Sequence, residues 1–429
     1  FSVAMGTTQS QTSVRPKGWF DVPTANVEEA EKEALREISK MPIPDFLSIE
    51  ALHPQLLSDG WAFEEHTEYC TAALQNDPML NKLVYACVPR KCSEAEFWRL
   101  YHAHAYNCLR RVCAQALLSK DVILAQDDKS SSGVIGIYKN HKDFRLLSQV
   151  ETDEILARDK EDDEKLAIGI NYAQGKEVIP SKVEVEPTEV IDVHGKSADM
   201  VAKMIIKSLG DAPQKGCIMI LEGLSGTGKG TTVSKLQASL PKAVSWSNGN
   251  VFRSITLLAV TYCELQRVPF GPEVLTQERL ADFMNMLSFD KFNGNFDIKI
   301  EGLGLNHLVS EIANTLLKDP KVGQNIPTVA QFTQGEVIKF AAAATSKMSA
   351  DGYNVLMEGR AQTLQYVRTP HRFQLTLKDP IIIGMRRAAQ RMVGKVVADY
   401  QAFPLPEFSP DAILGLLDSA LVGFLPAAK

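Results

Sequence analysis

Nine residues near the middle of the chain have types and spacing that suit phosphate chemistry: Gly223-Leu-Ser-Gly-Thr-Gly-Lys-Gly-Thr231. Its glycines allow the backbone to bend so that successive N–H groups point inward toward an anion. Lys229 is predicted to reach the terminal phosphates of a nucleoside triphosphate, and Thr231 to place its hydroxyl near Mg²⁺. The residues predicted to bind the donor nucleotide are Gly223, Ser225, Gly226, Thr227, Gly228, Lys229, Gly230, Thr231 and Thr232.

The segments on either side of this loop are those that a phosphate-binding loop requires. The apolar run Cys217–Leu221 predicts a strand before it. After it, Val233, Leu236 and Leu240 recur at helical spacing, and a helix N-terminus adds a partial positive charge. A glycine-rich turn that binds nothing is the alternative interpretation, and the flanking strand and helix argue against it.

The ending Gly228-Lys-Gly-Thr231 resembles that of the P-loop nucleoside-monophosphate kinases, rather than that of GTPases or motor ATPases. The resemblance covers roughly residues 214–425, within a domain predicted over residues 214–429. It implies an α/β domain with a parallel sheet, with ATP and Mg²⁺ as cofactors. Within that family, Val244–Arg253 resembles the acceptor-site segment of cytidylate kinases, and Arg253 matches the arginine that holds the acceptor phosphate. Ser247 stands where the family usually has aspartate.

Further segments extend the resemblance. Tyr353–Arg360 is similar to the family's strand that ends in acid-Gly-Arg-Asp, although Ala361 stands where the family has the aspartate. The similarity implies an acceptor-phosphate role for Arg360 and a role near Mg²⁺ for Glu358. Glu222, which ends the first strand, is a second candidate for the metal. The family's other substrate-binding and catalytic positions correspond to Lys318, Lys339, Arg387 and Arg391.

The largest departure from the family lies near the end of the chain. The family closes a mobile, arginine-bearing lid over the donor phosphates, but here 17 residues separate Arg391 from Ser409, and Lys395 is the sole base among them. Each lost charge-stabilising donor costs about two orders of magnitude in rate. Lys318 and Lys339, where the family has arginine, also lack the planar fork suited to phosphate.

Two functions therefore remain open. The first is an active kinase that transfers a phosphoryl group from Mg²⁺–ATP to CMP, dCMP or a related nucleotide. The second is a catalytically degenerate kinase-like subunit of a larger assembly that docks through the helical domain, with an organelle as one candidate location. A regulatory switch protein is disfavoured, because no separate Asp-x-x-Gly segment follows the loop.

Residues 26–118 predict an all-α domain. Ser93-Glu-Ala-Glu96 is a capping box, and Phe97, Leu100, Tyr101 and His104 share the face of the helix that follows. Together with Asn76-Asp-Pro78 and Val88-Pro89, this Phe-Trp helix resembles a BSD-type domain. That resemblance implies docking to a protein partner and no chemistry of its own; the aromatic side chains are expected to pack in the core.

Five cysteines fall in this helical region, at positions 70, 87, 92, 108 and 113, with His102 and His104 nearby. A metal site and a set of reduced core thiols are both compatible with them. No Cys-x-x-Cys pair is present, which favours reduced thiols over a zinc finger or a disulfide framework.

The remaining segments are predicted as a tail and a connector. Residues 1–25 indicate a flexible tail; the first 20 contain no acid but include Arg15 and Lys17, and resemble the end of an organellar transit segment or any flexible terminus. Residues 119–213 predict a connector with a short strand at 133–138, an acidic solvated face or linker at 151–165 and an amphipathic helix after Ser197.

The overall composition limits the classes of partner. A net charge of −6 and a pI near 5.9 argue against broad binding to nucleic acid, so no nucleic-acid partner is expected. No apolar run reaches the ~18 residues that span a bilayer. The 429 residues suggest two or three domains.

Overall fold

The computed structural model describes residues 19, 28–48, 63–402 and 408–425. It divides the chain into two compact units: a helical unit of residues 1–153 and 381–429, and a sheet unit of residues 154–380. The sequence instead predicts one domain over residues 214–429, whereas residues 381–429 group with the helical unit here. The first residues of the predicted all-α domain and most of the predicted tail lie outside the described residues.

Eighteen α-helices are assigned within the described ranges. They are α1 Glu28–Ile38, α2 Ile43–Leu47, α3 Thr67–Asn76, α4 Leu80–Cys87, α5 Glu94–Leu117, α6 Lys120–Ala125, α7 Asp128–Tyr138, α8 Lys142–Gly175, α9 Ala198–Leu209, α10 Ala212–Lys215, α11 Lys229–Ser239, α12 Asn248–Gln266, α13 Gln277–Asn285, α14 Val309–Ile312, α15 Pro320–Ala350, α16 Ala361–Leu364, α17 Ile381–Ala402 and α18 Pro410–Phe424. Short 3₁₀ turns occupy Phe63–His66, Pro272–Val274 and Leu316–Lys318.

The strands form two sheets. They are β1 Thr188–Asp192, β2 Ile218–Glu222, β3 Ala243–Trp246, β4 Leu287–Phe292, β5 Asn295–Gly302, β6 Leu305–Leu308, β7 Asn354–Gly359 and β8 Arg372–Thr376. The first sheet has the order β1-β8-β2-β7-β3, and every pairing in it is parallel. The predicted α/β class with a parallel sheet is therefore confirmed.

The helical unit is organised around α5. Ser93 caps this helix by accepting a hydrogen bond from the backbone N–H of Glu96 at 3.2 Å, as predicted. Phe97 and Tyr101 are fully buried, and the Phe97 ring lies 4.9 Å from that of Phe46. Helices α17 and α18 add Met392 and Leu417 to the same core. The predicted aromatic face of α5 thus packs in the core.

The prediction of a strand at Gly133–Tyr138 is wrong, because these residues belong to α7. Asp127 begins this helix by accepting hydrogen bonds from the backbone N–H groups of Lys129 and Ser130. Val134 and Ile137 are then buried in the helical core. A short apolar run fits a strand or a buried helix equally well, and the Asp127 cap and tertiary packing favour the helix here.

The acid-rich stretch 151–165 is helical and not a linker, although most of its charged side chains are exposed, as predicted for a solvated face. It lies within α8, and both Glu151 and Asp159 are buried. Farther along the same helix, Ile170 and Ala173 pack against Ile338 of α15. The sequence did not indicate this buried side of the helix, because Glu151 and Asp159 are satisfied by partners distant in the chain.

The sheet unit contains two features that the sequence did not predict. Strand β1 follows the expected extended connector and pairs with β8, with Ile191 opposite Leu375. Strands β4, β5 and β6 form an antiparallel meander within the region expected to bind the acceptor. Its hairpin turns carry positive φ at Asn293 and Gly294 and at Leu303 and Gly304. The Asn293-Gly294 pair between alternating apolar and polar residues is the sequence signal for the first of these hairpins.

The five cysteines of the helical unit form no disulfide with one another; Cys70, Cys87 and Cys113 are buried, as core thiols would be, whereas Cys92 and Cys108 are partly exposed. Burial raises the pKa of Cys70 to about 12, which keeps this thiol protonated. Within residues 28–48, 63–402 and 408–425, no cluster of His, Cys, Asp and Glu is arranged to hold a metal ion. In the same part of the chain, no helix combines the length and apolarity needed to cross a membrane.

Gly384 of α17 allows a close approach to α8 that a larger residue would prevent. A Cβ at this position would lie 1.9 Å from the carbonyl oxygen of Ser148 and 2.2 Å from the Thr152 hydroxyl. We expect Gly384→Ala to lower the free energy of unfolding by about 2–3 kcal/mol, because backbone atoms must move apart. Gly415→Ala in α18 is the matched control, since no atom lies within 4 Å of its Cβ position. Urea unfolding followed by circular dichroism compares the two; equal stability of both variants would contradict the packing argument.

Candidate functional site

The glycine loop connects β2, at the centre of the parallel sheet, to α11, as the sequence predicts. Gly223, Gly226 and Gly228 have φ values of +146°, +80° and +88°, a backbone region that favours glycine. A Cβ on Gly223 would lie 2.5 Å from the carbonyl oxygen of Leu375 in β8. The loop is therefore held against the neighbouring strand by a contact that only glycine permits.

Lys229 is the first residue of α11, and its ammonium group turns back onto the loop. Its Nζ donates hydrogen bonds to the carbonyl oxygens of Gly223 at 2.7 Å and Leu224 at 2.8 Å. Burial lowers the pKa of Lys229, while nearby Glu358 acts in the opposite direction. Beyond it, Thr231 is exposed and Thr232 is buried.

The end of β7 brings two more of the predicted site residues beside the loop. Because β7 pairs in parallel with β2, with Leu221 opposite Glu358, the carboxyl ends of both strands meet at one edge of the sheet. Glu358 is exposed, and its Oε2 lies 3.9 Å from the position that a Cβ on Gly230 would take. Arg360 follows directly after β7 and also faces the loop region.

The residue that sequence reasoning missed is Asp159 of α8, which is 2% exposed. Its Oδ2 accepts a hydrogen bond from the Ser225 backbone N–H at 2.8 Å. Its Oδ1 accepts from the Ser225 hydroxyl at 2.5 Å and from Arg360 Nη2 at 2.8 Å. Burial alone would raise the pKa of Asp159, but the hydrogen bonds from Arg360 and Ser225 outweigh burial and lower it. The carboxylate is therefore ionised at neutral pH.

Two neighbours of Asp159 on the same helix face strengthen the negative charge around Arg360. Asp162 and Asp163 lie 3.6 Å and 3.5 Å from its guanidinium nitrogens. Spacings of three and four residues place all three aspartates on one side of α8. This spacing was the one signal in the sequence that this stretch is more than a linker.

An open depression of about 380 Å³ adjoins these carboxylates. It lies between α8 and the loop, and its lining is Leu156, Asp159, Lys160, Asp163, Glu164, Ala167, Leu224 and Gln362. Three of these eight side chains are acids and one is a base. The depression in this conformation therefore suits a cation or a neutral polar group better than an anion.

Glu222, a predicted metal ligand, already has a strong partner. Its Oε1 accepts a hydrogen bond at 3.0 Å from Nη2 of Arg372, a fully buried residue of β8. Arg372 also donates to the carbonyl oxygen of Val367 at 3.0 Å. Because breaking such a buried pair leaves an uncompensated charge, Glu222 stays bound to Arg372. This ion pair joins the end of β2, where the loop begins, to β8.

The remaining predicted site residues lie apart from this cluster or have other partners. Arg253 lies in the first turns of α12, and its Nη1 is 2.9 Å from the position that a Cβ on Gly249 would take. The backbone N–H of Gly249 donates a hydrogen bond to the Ser247 hydroxyl. Lys318 and Lys339 are exposed, on a 3₁₀ turn and on α15. Arg387 and Arg391 belong to the helical unit, where both pair with Glu151.

Comparison with known proteins adds no family to these observations. No protein-family model matches the chain, and no curated protein matches it. The functional argument therefore depends on the residues and their geometry.

Because the pKa of Asp159 is lowered by folding, its contacts stabilise the protein at neutral pH and lose that effect in acid. The contribution is present above the unfolded pKa of about 3.9 and disappears as the pH falls through the lower folded value. We expect Asp159→Asn to lower the free energy of unfolding by about 1–3 kcal/mol at pH 7. Urea titrations from pH 7 to pH 2.5 should show the difference from wild type shrinking below pH ~4.

Glu161→Gln is the control for this titration, because Glu161 is an exposed residue of the same helix paired only with Lys165. A difference for Asp159→Asn that stays constant down to pH 2.5 would contradict the assigned ionisation.

Gly223 and Gly230 provide a second matched pair. Gly223→Ala places a Cβ against the backbone of β8 at a positive φ, so we expect a loss of about 2–4 kcal/mol in stability. Gly230 lies within the first turn of α11, and the nearest atom to its Cβ position is 3.9 Å away. Gly230→Ala should leave stability unchanged or raise it by up to about 1 kcal/mol. Thermal melts of the two variants test this order, and a reversed order would contradict it.

Proposed function

We propose that this chain binds Mg²⁺–ATP at the loop Gly223–Thr231. The observation that carries the proposal is the loop's position: it follows the central strand of a parallel sheet, opens α11 with Lys229, and has Glu358 and Arg360 beside it. Ligands in such sheets bind beyond the carboxyl ends of the strands. A helix N-terminus preceded by inward N–H groups and a lysine suits a polyphosphate.

The activity that these residues support is phosphoryl transfer to a pyrimidine nucleoside monophosphate such as CMP or dCMP. Arg253 and Arg360 hold the acceptor phosphate, with Lys318 and Lys339 as supporting cations, and Lys229 stabilises the transferring group. Arg387 and Arg391 act on that group only in a conformation that frees them from Glu151. No general base is required, because an acceptor phosphate is already a nucleophile at neutral pH.

Thr231 and Glu358 are the residues that would hold Mg²⁺. The Thr231 side chain is exposed at the start of α11, and Glu358 is exposed close to Gly230, so an oxygen donor set is available beside the loop. When bound, the ion neutralises charge on the phosphates. Glu222 is a poorer candidate than Glu358, because Arg372 already binds it.

A second candidate is a nucleotide-binding subunit without catalysis, which docks to a protein partner through its helical unit. Two observations favour it. Arg387 and Arg391, which the kinase mechanism requires near the phosphates, are paired with Glu151. Arg360, which the mechanism requires at the acceptor, is paired with three aspartates. The BSD-type resemblance of the helical unit stays a prediction.

Isothermal titration of the full chain with Mg²⁺–ATP, then with CMP, followed by a coupled transfer assay on the same sample, tests both candidates. We expect Lys229→Met to weaken ATP binding at least about tenfold, because a charged hydrogen-bond donor is lost. Any transfer should fall by about a hundredfold or more. Lys235→Met is the control, since Lys235 lies on the same helix but pairs with Asp199.

The outcomes separate the candidates. Binding with transfer supports the kinase, and binding without transfer supports the non-catalytic subunit. Absence of ATP binding by the wild type and by the Asp159→Asn variant would overturn both. Equal loss in Lys229→Met and Lys235→Met would show that binding does not involve the loop.

A further inference from the structure

Asp159 binds at the loop in the manner of an oxyanion ligand. Its two oxygens accept three hydrogen bonds, from a main-chain N–H, a hydroxyl and a guanidinium, at 2.8, 2.5 and 2.8 Å. These three kinds of donor are the ones with which proteins hold phosphate oxygens. The donors belong to Ser225, in the loop itself, and to Arg360, at the end of β7.

We infer that Ser225 and Arg360 form an oxyanion site that Asp159 of the same chain fills, so that a nucleotide phosphate must displace α8 residues 159–163 to bind there. We call residues 159–163 the acidic segment. This inference rests on the proposed function, because it names an intrachain competitor for that site. It adds an inhibitory role for residues 159–163, which precede the loop by about 60 positions in the chain.

The balance of charge supports competition. Three aspartates, at 2.8, 3.6 and 3.5 Å, face the single guanidinium of Arg360. Their excess negative charge repels an entering phosphate, and like charges at ~8 Å on partly exposed side chains weaken binding by about a few-fold. Arg360 also cannot orient a phosphate while its Nη2 binds Asp159.

The packing of α8 explains how the segment is positioned. Beyond the acidic segment, Ile170 and Ala173 are buried against α15, and the Tyr172 ring lies 5.1 Å from that of Phe332. Asp162 and Asp163 themselves have side chains 54% and 40% exposed. A phosphate that takes the place of Asp159 would therefore accept similar hydrogen bonds from Ser225 and Arg360. The apolar contacts of Ile170 and Ala173 are not part of this exchange.

The test is isothermal titration of the full-length protein with Mg²⁺–ATP and with inorganic pyrophosphate, in wild type and in Asp159→Asn. Asparagine keeps the size of the side chain but removes the ion pair between residue 159 and Arg360. We expect Asp159→Asn to tighten both ligands by about tenfold or more. Glu161→Gln is the control and should bind as wild type does, because Glu161 pairs with Lys165 away from the loop.

A second variant guards against a folding defect in Asp159→Asn. The double variant Asp162→Asn, Asp163→Asn changes partly exposed side chains and leaves Asp159 in place. It should tighten pyrophosphate by a few-fold through charge alone. Hydrogen exchange gives an independent readout: Mg²⁺–ATP should speed exchange of amides 156–164 in the wild type, and leave amides of α15 unchanged.

Each outcome decides the inference. Tighter binding by Asp159→Asn, including binding that the wild type lacks, supports it. Equal binding by wild type and Asp159→Asn, or unchanged exchange at 156–164 on saturation, overturns it and leaves nucleotide binding intact. If neither protein binds either ligand, both the inference and the proposed function are overturned.

Discussion

The arrangement of the loop region depends on one buried carboxylate. Asp159 joins Ser225 in the loop, Arg360 after β7 and helix α8, three elements that are separated by 66 and 201 positions in the chain. A buried charge requires partners that satisfy its oxygens, and a loop rich in N–H groups together with a guanidinium satisfies them here. The chemistry that makes this loop suitable for phosphate therefore also makes it suitable for an internal anion.

The parallel sheet determines which residues can meet at the loop. Adjacent strands that run in the same direction place Glu222, Glu358 and Arg360 at one edge. Their surroundings then separate their roles. Glu222 lies inside, where Arg372 neutralises it, whereas Glu358 stays in solvent beside Gly230. Two carboxylates that look equivalent in the sequence thus differ in availability, because one is buried with a fixed cation.

Local patterns were sufficient to predict the loop, β2, β7 and the helix starts at Ser93 and Ser197, since each is a property of neighbouring residues. Prediction failed where distant residues decide. The run at Gly133–Tyr138 becomes a helix because Val134 and Ile137 enter a core built from other helices. Asp159 appeared solvated because its partners follow much later in the chain. The meander β4–β6 is an exception to this rule, because the Asn293-Gly294 pair in its first turn is a local hairpin signal.

The order of strands in the parallel sheet limits how the sheet unit can be divided. Strand β1, at residues 188–192, precedes the loop strand in the chain but lies beyond β8 in the sheet. A fragment that starts at residue 214 would lack β1, and the backbone groups of β8 would form an open edge able to pair with another chain. Ile191, Val193 and Val201 would also be missing from the core that supports the loop. The segment before the loop is therefore an integral part of the sheet unit, because β1 completes the parallel sheet.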